Sequence, residues 1–133
     1  MKVHGKAPDD IFLGKSGFGG TEYLLAGLIT QGRKRGLSWH RIAELTSRNP
    51  ARRFGLSSKG DLAPGYDADI VLVDPDASFV VRAAESESSQ GYTPFEGLTL
   101  RGRVMSTYLR GSLVYSDGKI VGEPRGRYLQ RPC

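Results

Sequence analysis

The spacing of apolar residues changes once along this chain, near Gly60, and that change limits the folds open to it. Upstream, Leu24, Leu25, Leu28 and Ile29 recur at helical spacing after a possible Thr21 cap, with Gly32 as the expected stop. Ser38 caps a second predicted helix that turns Trp39, Ile42, Ala43 and Leu45 inward and leaves His40, Arg41 and Glu44 nearer solvent. Asn49 before Pro50 reads as the cap and first position of a short third helix closed by Gly55. Downstream the period shortens. Residues 68–74 and 78–82 read as strands separated by Pro75, residues 83–99 as a long loop, and 104–110 and 112–115 as strands kinked at Gly111. Asp117-Gly118 supplies a tight hairpin into Lys119-Ile120-Val121, and the end from Pro124 reads as an extended arm. Helices followed by strands make an α+β chain.

Composition excludes several classes. A chain of 133 residues suffices for one domain, burying roughly two-thirds of its unfolded surface if compact. No apolar run approaches the ~18 residues of a membrane span, and Met1 to Pro8 lacks the apolar core of a signal peptide, so a soluble, cytoplasmic protein is expected. The single cysteine, Cys133, rules out an intrachain disulfide or a thiolate metal cluster. A net charge of +5 raises the question of nucleic acid, but acidic residues interrupt the basic ones along most of the chain. Only the end, with Arg101, Arg103, Arg110, Arg125, Arg127 and Arg131, tilts positive, so nucleic acid is not the expected partner.

Small apparent motifs fail on their own chemistry. Gly14-Lys15-Ser16 imitates the end of a phosphate loop, but the required first glycine falls on Asp9. Gly17-Phe18-Gly19 lacks the third glycine of a dinucleotide loop. His40 and Glu44 lie one helical turn apart without a third metal ligand, and His4 sits in a polar start. Neither histidine stands in a triad context that would activate a serine.

Three blocks in order carry a family resemblance. They are Gly60-x-Leu62-x-x-Gly65-x-Asp67-Ala68-Asp69-Ile70-Val71, then Thr93-Pro94-Phe95-Glu96-Gly97 with Leu100-Arg101-Gly102-Arg103-Val104, then Tyr108-Leu109-Arg110-Gly111 before Asp117-Gly118-Lys119. Together with the preceding Thr46 to Leu56, they resemble the C-terminal end of metal-dependent cyclic amidohydrolases of the hydantoinase, dihydroorotase and allantoinase kind. The resemblance implies the last helices of a (β/α)8 barrel over residues 1–58, then part of a small β-sandwich and a C-terminal arm over 59–133. It also implies that Trp39, Leu28 and Phe54 belong against barrel neighbours, and that open strand edges call for a partner: a complementing N-terminal barrel segment or a second copy in a homo-oligomer.

For the parent enzymes the resemblance implies zinc or another divalent ion, held by histidines, an aspartate and often a carboxylated lysine, that activates water against a small cyclic amide. This chain has no His-x-His and no Asp-His pair, so no catalytic or metal residue is assigned and the chain alone is expected to be inactive. The alternative is a non-catalytic β-sandwich module for assembly or binding. Asp67 and Asp69 read as structural carboxylates at a strand entry. The segment Ser16-Gly17-Phe18-Gly19-Gly20-Thr21-Glu22 resembles the loop that lines the family's substrate pocket, with Ser16 where hydantoinases use an asparagine whose backbone holds the cyclic amide. Ser16, Gly17 and Gly19 are therefore the substrate-binding candidates, against the plainer reading of glycines relieving strain at a loop-to-helix junction.

Overall fold

The computed structural model describes Phe12 and residues 17–130. Ser16, and with it His4, Lys15, Arg131 and Cys133, lies outside the described residues. Two helical segments precede a four-stranded antiparallel sheet of order β1-β2-β3-β4, formed by β1 Ile70–Val80, β2 Thr99–Leu109, β3 Ser112–Ser116 and β4 Lys119–Ile120. No helix among the described residues is long and apolar enough to cross a membrane.

The first helix opens with a 3-10 turn at Thr21–Tyr23, passes through Leu24–Gly27 and widens into a π turn at Leu28–Gly32. It does not stop at Gly32. The Leu37 N–H reaches back to Gly32 O at 2.9 Å and the Gly36 N–H to Arg33 O at 3.1 Å, with Gly36 at φ +84° as the residue that ends the helix. Gly32 instead lies under the folded-back Leu37 side chain.

The buried face of this helix also differs from the expected leucine stripe. Tyr23, Ala26, Ile29 and Thr30 are buried, whereas Leu24 is exposed and Leu25 and Leu28 are half-buried. Small Ala26 lets the helix lie close to β2, and Thr30 ties it there. The Thr30 hydroxyl donates to Ala26 O at 2.7 Å and accepts from the Arg101 N–H at 2.8 Å. Tyr23 and Ala26 meet Val81 and Leu100 in the core, with Phe79 and Phe95 packed against them.

Ser38 caps the second helix as expected, its hydroxyl accepting from the Arg41 N–H at 3.1 Å. The helix then continues through the anticipated boundary: Trp39–Ala43, a π turn at Glu44–Arg48, and Asn49–Arg53. Asn49 is helical (φ −67°, ψ −45°) and is not a cap. Pro50 has no N–H to offer the preceding turn, and the wider turn before it absorbs its ring without ending the helix. Of the four side chains expected inward, only Ile42 is buried. Ala43 and Leu45 are exposed, and Trp39 is 46% exposed with the Arg33 guanidinium 5.0 Å above its ring. Phe54 is exposed as well.

The two strands expected on either side of Pro75 form one, β1, with its register shifted between Asp74 and Ser78. Proline is tolerated because β1 lies at the sheet edge, and the Asp74 carboxylate gathers the Asp76 and Ala77 N–H groups at 2.9 and 3.0 Å. Residues 68–73 do not enter a core: none is buried, and Val71 and Leu72 are exposed. β2 begins earlier than expected, at Thr99. Its Gly102 (φ +84°) is where the Ile29 side chain presses in, 2.5 Å from where a Cβ would stand. Arg110-Gly111 and Asp117-Gly118 both adopt positive φ and form the two tight hairpins.

Candidate functional site

The glycine segment leading into the first helix has few side chains of its own to hold its shape, and the loop between β1 and β2 takes over that task. The ends of this loop meet: the Val81 N–H donates to Leu98 O and the Gly97 N–H to Val81 O, both at 2.9 Å. From it, the Tyr92 hydroxyl donates to Gly17 O at 2.7 Å and the Thr93 hydroxyl to Gly19 O at 3.2 Å. The Ser86 hydroxyl donates to the Glu22 carboxylate. A Cβ on Gly19 would meet Ser88 Oγ at 2.6 Å and one on Gly20 the Phe95 ring at 2.8 Å, so the approach itself demands glycine. Phe95 stands edge-on to both Phe18 and Tyr23, at 6.4 and 6.0 Å between ring centres. Burial, partly offset by the Ser86 hydroxyl, raises the Tyr23 phenol above its usual range.

Of the three substrate-binding candidates, Ser16 lies outside the described residues. Gly17 is exposed, Gly19 is half-buried, and Phe18 between them is exposed. Among the described residues, the carbonyls of Gly17 and Gly19 each accept one hydroxyl. A carbonyl has a second lone pair, and a main chain of this kind can offer alternating donors and acceptors to a ring amide.

A second polar cluster lies where the second helix runs into β1. Lys59, 13% exposed at its side chain, sends its ammonium to Asp67 Oδ2 at 2.8 Å and Asp69 Oδ2 at 2.5 Å. The other Asp69 oxygen accepts the Arg110 N–H of the β2–β3 hairpin at 2.8 Å, and the Gly111 N–H donates to Ala68 O at 2.9 Å. The Ser58 hydroxyl donates to Asp67 Oδ2 at 3.2 Å. Burial by itself pulls the Lys59 pKa down, but the bonds to Asp67 and Asp69 outweigh it and the net shift is upward. The Lys59 bond, helped by Ser58, holds the Asp67 carboxyl below its ordinary range against the opposing effect of burial.

These residues do not fit a catalytic metal. Among the described residues no three His, Cys, Asp or Glu side chains converge as ligands, and the acidic pair Asp67 and Asp69 is already bridged by the Lys59 ammonium. His40 lies 3.5 Å from Glu44 on the second helix, and the other Glu44 oxygen takes the Arg41 guanidinium at 3.0 Å, so the pair has no third ligand there. Lys59, Tyr92 and Thr93 were given no role from the sequence, although Thr93 opens one of the blocks that carry the family resemblance. For Lys59 a signal existed: Asp67 and Asp69 stand two residues apart, here around a tight turn in which the Asp69 N–H donates to Asp67 O at 2.8 Å, and two carboxylates so close call for one shared cation. For Tyr92 and Thr93 no local signal exists, because their partners are 75 and 74 residues away.

Comparison with known proteins agrees with this architecture. The chain is 41% identical to an allantoinase of Rubrobacter xylanophilus over 126 residues, covering 94% of this chain and 28% of the relative. It is 40% identical to a D-phenylhydantoinase of Escherichia coli over 119 residues, covering 87% and 26%. Among solved structures, a D-hydantoinase superposes with a TM-score of 0.85 at 35% identity, covering 92% of this chain and 27% of that one. The L-hydantoinase (dihydropyrimidinase) of Arthrobacter aurescens gives 0.79 at 34%, covering 86% and 26%. The chain thus spans about a quarter of the length of the relatives it matches. The profile of the Amidohydrolase family matches residues 9–121, most of the sequence, and the chain belongs to that family.

Proposed function

We propose that this chain contributes the C-terminal portion of a hydrolase acting on cyclic amide C–N bonds, of the hydantoinase or allantoinase kind. Residues 1–58 then complete a (β/α)8 barrel and residues 59–133 form part of a small β-sandwich with its arm. In the reaction, the oxygen of water adds to a ring carbonyl carbon, the C–N bond breaks, and the departing nitrogen takes the proton.

On this reading the metal ligands and the catalytic aspartate that activate water are not among the residues of this chain, and the chain alone does not turn substrate over. Its own contribution is the glycine loop at residues 16–20, whose backbone receives the cyclic amide, and the scaffold behind it. The observation that carries the proposal is identity of about two-fifths, along nearly the whole chain, to both an allantoinase and a D-phenylhydantoinase. That shared identity leaves the choice between the two substrates open. Family membership also weighs against a free-standing binding module. The open edge of β1 and the exposed Trp39 and Phe54 suit a covering barrel segment or a second copy, within a cytoplasmic assembly.

Grafting tests this. When the matching stretch of the Escherichia coli D-phenylhydantoinase is replaced by this chain, the hybrid is expected to retain metal and hydrolyse phenylhydantoin. A folded, metal-loaded hybrid without turnover would contradict the proposal.

A further inference from the structure

We infer that Tyr92 and Thr93 are positioning residues, whose hydroxyls hold the backbone of residues 17–20 in the shape that receives a cyclic amide. The inference rests on the reading of the glycine loop given above. A segment with three glycines in four residues loses much conformational freedom when it is fixed, and it cannot fix itself. The helix that follows holds only the last residue of the segment, through the Tyr23 N–H to Gly20 O at 3.0 Å, and Gly20 offers no side-chain cap. Restraint comes instead from across the chain, where two hydroxyls on consecutive residues take two carbonyls separated by one residue, Gly17 and Gly19.

The geometry suits a positioning role. Thr93 is 7% exposed, and its hydroxyl also accepts from the Phe95 N–H at 3.3 Å, so its direction is set from within its own loop. Ser88 and Phe95 close on Gly19 and Gly20 from the same loop and leave no space for the backbone to shift toward them. Both hydroxyls act on the carbonyl side of the segment, at Gly17 O and Gly19 O. Phe18, between the two anchored carbonyls, stays exposed.

The test combines two readouts on Tyr92→Phe, Thr93→Val and Thr93→Ser. In the full chain, amide hydrogen exchange at Tyr23, whose N–H donates to Gly20 O at 3.0 Å, is expected to quicken about five-fold on loss of either hydroxyl, as for one net hydrogen bond. Thr93→Ser should restore the slow rate, while exchange around Ile29 stays unchanged. In the hybrid hydantoinase the same losses should raise KM about five-fold with kcat nearly unchanged, because a backbone cradle grips substrate and transition state alike.

Unaltered loop exchange overturns the inference at the hydroxyls. Quickened exchange with unmoved KM, or a fall in kcat alone, overturns it at the loop's role in holding substrate. Half-buried Tyr92→Phe keeps the test open if Thr93→Val does not fold.

Discussion

The two helices meet the same sheet in opposite ways. The first lies against β2 with small or hydrogen-bonded residues at the contact: Ala26, Thr30 locked to the Arg101 N–H, and Gly102 admitting Ile29. The second stands off from β1 across an apolar cleft of about 660 Å³, lined by Leu25, Ile42, Ala51, Phe54, Ile70 and Val73, with exposed Trp39 and Val71 at its margin. Apolar content does not separate the two regions, since the cleft has more large apolar side chains than the seam. Close approach does. A sheet is covered tightly where one partner gives up a Cβ or supplies a hydroxyl, and is left open where bulky residues face each other without such a device. Beyond its far end, the connection to β1 is tied to itself by charge, through Lys59 with Asp67 and Asp69.

The sharpest way to break this comparison is Gly102→Val. A branched side chain there meets Ile29 and must also adopt a left-handed backbone, so urea denaturation should show a loss of about 3–4 kcal/mol, the largest of the set. Lys59→Met comes next. It leaves two carboxylates facing each other, and the thermal midpoint should fall by about 5–10 °C at neutral pH.

The same junction fixes a pH profile. Asp67 is depressed when folded, so its contribution is present above the ordinary carboxylate pKa, about 4, and is lost as pH falls through the lower folded value. Lys59 is raised, so its contribution is present below the ordinary lysine value and is lost as pH rises through the higher folded one. Stability followed by circular dichroism should therefore drop at both extremes in the natural chain. Lys59→Met should lose the alkaline component and gain stability as its unpaired carboxylates are protonated.

Two smaller effects sharpen the contrast. Thr30→Val deprives the Arg101 N–H of its acceptor inside the closed seam and should cost about 1–2 kcal/mol in the same urea experiment. Val71→Thr, on the exposed edge beside the open cleft, should stay within about 0.5 kcal/mol. Equal losses at positions 30 and 71 would erase the distinction between the two regions.

Much of the fold was legible where the signal is local. The Ser38 cap and the Asp117-Gly118 turn rest on interactions among residues a few positions apart, and both stand in the structure. Where a distant partner decides, sequence reading failed. Gly32 looked like a stop because glycine ends helices, but Leu37 folds over it and Gly36 does the ending. Asn49-Pro50 looked like a helix start because proline suits that position, but a π turn carries the helix through. Gly102 gave no warning that it lies in a strand, since the reason for it is Ile29 on the first helix. At the candidate site, the glycines were visible in the sequence and the hydroxyls that anchor them were not.

Zinc titration of the purified chain, with allantoin and hydantoin hydrolysis followed at each step, tests whether catalysis needs residues that this chain does not carry. The expected result is no turnover above the metal-free blank at any zinc concentration. Ring opening that rises to saturation at one zinc per chain would contradict it.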